Sequence, residues 1–470
     1  MKLKSFFTNS FGILFSRIAG FVRNLLMASI LGQSIYSDMF LVAFKLPNLF
    51  RRIFGEGAFL QSFLPSFVAS RNKGVFAISI LRRFLLFITF ASIIVAIFPE
   101  FFTKLLVIGW SSEQIAEAAP MMAITFWYLA LVFIVTFLGS LLQYKEHFAT
   151  TAFSTVLLNF AMIGALLLYR QDDPKQVTIA LSISVIIGGL MQVGLHLWSI
   201  SRYKLTPLLT GGWKYRTKKD VTEENKRFNA LFIPAIWGNS TPQINAFLDT
   251  WLASFLVAAG SISSLFYANQ VFQLPLAIIA IAASTALFPS VSKALANNRE
   301  EEAYQNLAKA FWLMLAALGV AAIVGILFAE PITWLLFERG RYTPEDTAKT
   351  SFVLSMYLIG LIPFGLSKLL SMYLYASHRQ LKAAKISSIS LVFNVIASLS
   401  LIKPMGAAGL ALAGSIGGWV LFVLTLREVG VSHVSEVLFT KRTLLLVIGL
   451  LLLAIGCFYL NGVLMGWIRG

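Results

Sequence analysis

The amino-acid sequence predicts an all-α membrane protein, a polytopic bundle of helices. Of its 470 residues, 58% are hydrophobic and 13% are charged. In an average soluble domain, about 25% of the residues are charged. About 13 apolar runs are long enough to cross a bilayer as helices. Alternating strands of about ten residues, which are typical of a membrane β-barrel, are not seen.

The net charge and the cysteine content further restrict the possible partners and sites of this protein. The formal net charge is +17, which favours either a nucleic acid or a membrane as partner. With the N-terminus in the cytoplasm, about 24 Lys and Arg residues fall on the inner side and about 8 on the outer side. This bias predicts a multi-pass protein in contact with membrane lipids and argues against nucleic acid. Cys457 is the only cysteine, so no internal disulfide or cysteine metal site is expected.

Residues 10–67 are apolar enough to span a bilayer twice, yet they carry seven charged side chains. A charge at the centre of a membrane helix costs about 2.5–3.5 kcal/mol on insertion scales. Such side chains are tolerated where they face something polar, so the stretch predicts a wet, net-positive cavity within the bundle. The seven are Arg17, Arg23, Asp38, Lys45, Arg51, Arg52 and Glu56.

The first predicted span is amphipathic. At about 100° per residue, its small and polar residues share an arc of about 140°. Glycine and serine alone would suit a close helix–helix contact. Two arginines would not, so the arc is predicted to line the cavity. Its members are Asn9, Gly12, Ser16, Arg17, Gly20, Arg23 and Asn24.

The second span is predicted to be a broken helix. Pro47 removes a backbone hydrogen bond and should kink the helix near Ala43. Broken helices at membrane depth belong where the backbone lines a cavity. The alternative is that Arg51, Arg52 and Glu56 mark a cytoplasmic end with snorkelling side chains. The apolar residues that follow them argue against this alternative.

The chain is predicted to form two six-helix lobes in pseudo-repeat, plus about one C-terminal helix. The expected divisions are an N-lobe at 1–201, a basic cytoplasmic linker at 202–227, a C-lobe at 228–427 and a C-terminal helix at 428–470. The linker is either a solvated connector or an amphipathic surface segment that collects anionic lipid. The repeat is supported by the motifs Phe44-Lys45-Leu46-Pro47 and Phe272-Gln273-Leu274-Pro275, each in the second span of its half.

The second half carries fewer charges within its spans. An ionisable side chain in a membrane is a functional candidate by default, and Asp249 is such a residue. Asn394 and Ser398 lie one turn apart on a predicted helix, where they form either a structural hydrogen bond or part of a site. Asn159, in the fifth span, is expected to make an interhelical hydrogen bond.

The sequence contains no constellation for catalysis. There is no P-loop for ATP, and the histidines are scattered without metal-ligand spacing. A two-lobed bundle with a cationic pocket and no energy-coupling motif is typical of a secondary transporter or flippase, not of an enzyme. The histidines are His147, His196, His378 and His433.

A specific set of residues in the opening stretch resembles a known family. The set is Ser16-Arg17, Gly20-Phe21-Val22-Arg23, Gly32, Asp38, Phe40, Ala43-Phe44, Pro47-Asn48-Leu49, Arg51-Arg52, Phe54, Glu56-Gly57-Ala58 and Pro65. Weaker similarity continues through Phe266-Tyr267-Ala268, Leu274-Pro275 and Leu287-Phe288-Pro289. With these residues the chain resembles the MurJ/MviN family, the lipid II flippases of the multidrug/oligosaccharidyl-lipid/polysaccharide exporter (MOP) superfamily.

The resemblance implies a function in cell wall biogenesis. The chain would move lipid II, the undecaprenyl-pyrophosphate-linked precursor of peptidoglycan, from the cytoplasmic to the periplasmic leaflet of a bacterial inner membrane. Its lobes would alternate between inward-open and outward-open states around a cationic central cavity. Peptidoglycan synthesis and division proteins are the implied protein partners.

The resemblance also implies roles for single residues. Guanidinium groups bind phosphate oxygens bidentately, so arginines are expected to hold the pyrophosphate. Acidic side chains would pair with them when the pocket is empty and limit the cost of buried charge. The expected substrate-binding residues are Ser16, Arg17, Arg23, Lys45, Arg51 and Arg52, and the expected gate or charge-pairing residues are Gly20, Asp38, Pro47 and Glu56.

Two features depart from the family pattern. Asn269-Gln270 stand where members usually have an arginine, which weakens the expected C-lobe contribution to phosphate binding. One span follows residue 427, where members usually have two, so a partial groove for the lipid tail is implied.

No organic cofactor and no transition metal is expected. Some members of the family bind a monovalent cation, and Na+ is the candidate here. The matching positions are Asp249, Asn394 and Ser398. Ser398 stands where a carboxylate would favour binding.

Three other functions stay open from the sequence. The runner-up is a flippase for another lipid-linked oligosaccharide or a multidrug exporter of the same superfamily, although a basic pocket disfavours cationic drugs. A membrane-embedded transferase would need Asp38 or Glu56 as its acid or base. A scaffold without transport would tolerate the loss of Arg17 and Arg23.

Overall fold

The structure, a computed structural model, describes residues 3–51, 58–255, 259–430 and 441–469. Within these ranges the regular structure is helical, without a strand. Ten helical stretches of the described residues are long and apolar enough to cross a membrane. The predicted all-α membrane fold is therefore confirmed.

The helices form two compact units. Helices α1 to α11 belong to the first unit, Met1–Val257. They are α1 (Leu3–Leu31), α2 (Ile35–Phe50), α3 (Phe59–Ala69), α4 (Lys73–Ile97), α5 (Pro99–Leu106), α6 (Ser112–Phe126), α7 (Tyr128–Tyr144), α8 (Ala149–Leu168), α9 (Pro174–Arg202), α10 (Thr206–Lys214) and α11 (Thr222–Ala253).

The first unit has an aromatic core. Its ring centroids lie 5.4 Å apart for Phe59 and Phe133, and 5.2 Å apart for Phe84 and Phe133. Phe228 joins the cluster from α11, with its centroid 6.0 Å from that of Phe59. Such ring pairs contribute about 0.5–1.5 kcal/mol each beyond area burial, so they fix α3, α4, α7 and α11 against one another.

The second unit, Ala258–Gly470, contains the remaining helices. They are α12 (Ser261–Pro275), a π-helical segment (Leu276–Ile281), α13 (Ala282–Ala296), α14 (Glu300–Leu327), α15 (Ala329–Phe337), α16 (Pro344–Leu358), α17 (Leu361–Ala376), α18 (Gln380–Val429) and α19 (Lys441–Arg469). Its buried core includes Tyr267, whose ring centroid is 5.2 Å from that of Phe337.

The packing boundary between the units differs from the predicted linker. Helix α11 packs on α3 and α4, so it belongs with the first unit although it follows the segment 202–227. The predicted lobe boundaries stay a prediction.

The long helix α18 explains part of the difference between ten stretches and about 13 predicted spans. It contains two predicted spans, which meet at Gly406, where φ is 56° and ψ is −132°. Glycine adopts this left-handed backbone without strain. Beside it, a Cβ on Gly409 would lie 2.2 Å from the carbonyl oxygen of Leu401, so the two segments are in backbone contact.

Both proline motifs lie at or near the end of an α-helix. Pro275 is the last residue of α12, and the chain continues as the π-helical segment Leu276–Ile281. Pro47 lies in the last turn of α2, which ends at Phe50. A proline has no N–H to give to the carbonyl four residues before it, and π-helical turns form where this hydrogen-bond ladder is disturbed. Helix α2 is α-helical through Ala43, and the predicted kink there stays a prediction.

Candidate functional site

The polar arc of α1 packs closely against α8. A Cβ on Gly12 would lie 2.9 Å from the Cβ of Ala152. Ser16 Oγ donates to Thr155 Oγ1 at 2.7 Å, and Asn159 Nδ2 donates to the Ser16 carbonyl at 3.2 Å. The small residues of the arc therefore form a helix–helix contact, which is the alternative that their composition allowed. The role of Ser16 in binding substrate stays a prediction.

Arg23 lies half-buried at the same contact. Its Nη1 donates to Asn159 Oδ1 at 3.0 Å, while Nε and Nη2 donate to Asn24 Oδ1 at 3.1 and 2.8 Å. Gly20 faces the same network: a Cβ there would lie 3.5 Å from Asn159 Nδ2, an ordinary contact distance, and its predicted role in gating stays a prediction. Two amide oxygens thus help to orient the guanidinium. The predicted interhelical hydrogen bond of Asn159 is confirmed.

Arg17 has a different environment on the same helix. Its side chain is exposed, although it belongs to a span, Leu14–Leu31, of mean hydropathy 1.4. Among the described residues it forms no ion pair. A charge within a membrane span is costly without a polar partner, and the predicted role of Arg17 in binding substrate stays a prediction.

Asp38 is buried at the start of α2, with 2% of its surface exposed. The helix is capped by Ser34, whose hydroxyl accepts from the backbone N–H of Ser37 at 3.3 Å. Asp38 lies in the first turn, where the helix dipole favours a negative charge by about 0.3–1 kcal/mol. This position lowers the cost of burying the carboxylate, and its predicted role in charge pairing or gating stays a prediction.

The last turns of α2 receive a hydrogen bond from outside the helix. Pro47 cannot donate to the carbonyl of Ala43, four residues before it. The hydroxyl of Thr125 in α6 lies 2.8 Å from that carbonyl and 2.8 Å from the carbonyl of Met121 in its own helix, so its one proton is shared between the two acceptors. A buried carbonyl left without a donor would cost about 1–3 kcal/mol, so Thr125 allows the proline to be buried here.

Two further cations of the first unit are also positioned by neutral oxygens. Lys45 Nζ donates to the hydroxyl of Thr250 in α11. Arg51 donates through Nε and Nη2 to Asn48 Oδ1, at 3.1 and 3.0 Å. Arg51 also lines a cleft of about 130 Å³ with Phe50 and aromatic residues of α4, α6 and α7, and the surface of this cleft is almost wholly apolar.

Some predicted site residues lie outside the described part of the chain. Arg52 and Glu56 do so entirely. Asp249 belongs to α11, but its side chain is outside the described residues. Their predicted roles stay predictions.

The second unit has hydrogen-bonded amides where the first has cations. Gln273 donates to the side-chain oxygen of Asn269, one turn before it in α12. On α18, Ser398 Oγ donates to Asn394 Oδ1 at 3.3 Å, with both residues buried. This contact is the structural hydrogen bond that was one of the two expectations for the pair, and a cation site there stays a prediction.

Sequence reasoning missed the hydroxyls that position these groups. They are Thr125, Thr155 and Thr250. Nothing local to their sequence indicates a distant partner, because each bond joins helices more than 80 positions apart in the chain. Asn48 had a signal, since it follows Pro47 within the family pattern.

Comparison with known proteins agrees with this arrangement. A family model described as lipid II flippase MurJ matches residues 27–470. A probable lipid II flippase MurJ of Helicobacter pylori strain 26695 is 50% identical over 416 residues, covering 86% of this chain and 90% of the relative. A probable lipid II flippase MurJ of Haemophilus influenzae is 32% identical, covering 94% of this chain and 88% of the relative.

Solved structures share the fold at low sequence identity. A lipid II flippase MurJ in an inward closed conformation matches with a TM-score of 0.78 and 24% identity, covering 98% of this chain and 99% of the other. An inward-facing multidrug transporter of the MATE family, in the MOP superfamily, matches with a TM-score of 0.72 and 12% identity, covering 91% and 96%.

The helical spans define a polytopic membrane protein, and its fold is the one that these flippase and multidrug-transporter structures share. At the level of the family, the match over residues 27–470 and the 50% identity are decisive. The chain belongs to the lipid II flippase MurJ family.

Proposed function

We propose that this protein is a flippase for lipid II, the undecaprenyl-pyrophosphate-linked peptidoglycan precursor. It moves the substrate from the cytoplasmic to the periplasmic leaflet by alternating access. Membership of the family and the names of its relatives support the substrate. The protein catalyses no covalent step, and its membrane is the bacterial inner membrane, with the N-terminus in the cytoplasm.

The observation that carries the proposal is the pair of arginines on α1. Arg23 is held half-buried by Asn24 and Asn159, and Arg17 is exposed six residues earlier. A pyrophosphate diester carries about two negative charges, and guanidinium groups bind such oxygens with charge-assisted, bidentate geometry. Two cations on one membrane helix therefore match the charged part of the substrate.

Amide and hydroxyl oxygens help to hold three cations of the first unit in defined orientations. Asn159 accepts from Arg23, Thr250 accepts from Lys45, and Asn48 accepts from Arg51. A cation whose orientation is fixed in advance loses less side-chain entropy when it binds an anion. These contacts therefore support the proposal that the first unit binds the pyrophosphate.

The experiment is replacement of the native flippase in a bacterial host. This chain is expressed while the host flippase is depleted, and lipid II in the outer leaflet is measured. The proposal predicts growth and a restored outer-leaflet pool. A correctly inserted chain that fails to restore the pool would contradict lipid II as substrate, and accumulation of a different lipid-linked sugar would identify the alternative.

Peptidoglycan synthesis and division proteins are proposed as functional neighbours. The product of the flippase is the substrate of enzymes that polymerise the cell wall on the opposite side of the membrane, so transport and polymerisation are coupled through one lipid. Depletion should therefore produce cell-shape defects before lysis, which microscopy of the same strain would record.

A further inference from the structure

The segment that follows α9 carries an exposed cluster of positive charge. We call residues 202–219 the basic segment; it comprises α10 and its flanks. The range contains no acidic residue, and its cations form no ion pair within the part of the chain that the structure describes. The exposed cations are Arg202, Lys204, Lys214, Arg216, Lys218 and Lys219.

Aromatic side chains are interleaved with these cations. Tyr203, Trp213 and Tyr215 are 40%, 52% and 42% exposed. The guanidinium of Arg216 lies 4.1 Å from the ring centroid of Trp213, and Lys219 Nζ lies 5.9 Å from that of Tyr215. Tyrosine and tryptophan are enriched at the headgroup level of membranes, because each has an apolar body and a polar tip.

A backbone contact fixes the depth of the basic segment. A Cβ on Gly212 would lie 2.2 Å from the carbonyl oxygen of Gly74, and a Cβ on Gly74 would lie 2.4 Å from that of Leu208. Gly74 is the second residue of α4, a membrane-spanning helix. Helix α10 therefore crosses the first turn of a candidate membrane span, and the ends of such spans are expected at the bilayer surface.

We propose that the basic segment is a binding site for anionic phospholipid headgroups. Trp213 and Tyr215 lie among the headgroups, and the exposed cations contact lipid phosphates. The glycine contact holds the segment at the depth where both interactions are made together. The site is distinct from the arginines of α1, and it stands whether or not the transported substrate is lipid II.

A lipid surface explains the combination better than a nucleic acid does. Charge alone would serve either partner, but a nucleic acid offers no reason for aromatic rings at the start of a membrane helix. Anionic lipids attract basic residues near the cytoplasmic surface, and the attraction falls off within about 8–10 Å at physiological salt. Docking against the first turn of α4 places the basic segment within that distance.

The test uses the purified full-length protein and phosphatidylglycerol. Lipid binding is measured by native mass spectrometry for the parent and for the triple variant Lys214→Gln, Lys218→Gln, Lys219→Gln. A second triple variant, Lys104→Gln, Arg170→Gln, Lys175→Gln, removes the same charge from exposed positions at the opposite helix ends. Arg216 is retained because its guanidinium packs on Trp213.

The first triple variant is expected to bind phosphatidylglycerol at least about tenfold more weakly, since each cation near an anionic surface contributes several-fold. The control variant should keep the parental affinity, and phosphatidylcholine should bind all three proteins equally weakly. Raised salt should weaken parental binding, because the contacts are electrostatic.

Two results would overturn the proposal. Equal binding by parent and first triple variant would show that the cations do not contact lipid. An equal loss of phosphatidylglycerol affinity in both triple variants would show that binding depends on the net charge of the protein and not on the basic segment. The variant Gly212→Leu tests the position of the segment separately from its charge, because it keeps every cation but moves α10 away from α4. If folded Gly212→Leu protein kept the parental lipid affinity, the glycine contact would not be needed for lipid binding.

Discussion

The two proline motifs occupy similar positions in their helices, but their neighbouring side chains differ in charge. In the first unit, Pro47 lies in the last turn of a helix that presents Lys45 and is followed by Arg51. In the second, Pro275 ends a helix whose matching position is Gln273, hydrogen-bonded to Asn269. Both prolines therefore lie at or near the end of their helix, but only the first motif carries a cation. This difference is consistent with the proposal that the first unit recognises the charge of the substrate.

The difference between the two units is tested most directly by substituting Arg23 in the first unit and Gln273 in the second. Replacing Arg23 by Ala removes charge-assisted hydrogen bonds worth about 1.5–3 kcal/mol, so transport is expected to fall about tenfold to hundredfold. Gln273→Ala should leave transport near the parental level. Rescue of the depleted host, scored by outer-leaflet lipid II at matched expression, measures both variants.

Equal loss in Arg23→Ala and Gln273→Ala would mean that the units contribute alike, and the comparison would fail. Arg23→Lys serves as a control for charge. It keeps the cation but loses the planar, forked geometry, so it should retain part of the activity if charge is the main requirement.

A second prediction concerns how the first unit tolerates its proline. Thr125→Val leaves the Ala43 carbonyl without its donor and should lower the free energy of unfolding by about 1–3 kcal/mol. In a Pro47→Ala background, the restored backbone N–H of residue 47 reaches the same carbonyl. The loss caused by Thr125→Val should then be much smaller, as thermal unfolding in detergent would reveal.

This double-mutant cycle has a clear contrary outcome. If Thr125→Val costs the same with Pro47 and with Ala at position 47, the threonine acts through its own packing and not through the freed carbonyl. The interaction energy between the two sites would then be close to zero.

A third prediction concerns a pair of substitutions that transfers one positive charge from the first unit to the second. Lys45→Gln gives the first unit the residue that the second already has, and it should weaken transport severalfold by removing one cation near the substrate charge. Adding Gln273→Lys returns the net charge but in the second unit. Because position and not total charge is decisive, the double variant should stay impaired in the rescue assay; full recovery would contradict this.

The smallest effect is expected at Ser398. Its hydrogen bond to Asn394 joins one turn of α18, and such bonds within membranes average about 0.6 kcal/mol. Ser398→Ala should therefore lower thermal stability slightly, and equally in sodium chloride and choline chloride. A loss confined to sodium chloride would instead assign the pair to a Na+ site.

The sequence predicted the features that depend on local physics. The apolar runs predicted membrane-spanning helices, and the joint between the predicted spans 383–402 and 406–426 lies at Gly406. The family pattern pointed to the charged residues of α1 and α2. These predictions succeed because the length of a membrane-spanning helix depends on residues that are close together in the sequence.

Interhelical contacts were beyond prediction from one sequence. The arc of α1 was expected to line a cavity, yet Gly12 and Ser16 pack on α8 while Arg17 is exposed. Periodicity defines a face but not what covers it. The donors Thr125 and Thr250 were missed for the same reason, because their partners are distant in sequence.

The central claim is that the first unit recognises the pyrophosphate by charge, with Arg23 as its positioned cation. The most direct test is binding of undecaprenyl pyrophosphate, undecaprenyl monophosphate and undecaprenol to purified parent and Arg23→Ala protein. The parent should bind the three in that order, and Arg23→Ala should lose affinity for the pyrophosphate most and for the alcohol least. Equal affinity of the parent for all three lipids, or an equal loss across them in the variant, would contradict the claim.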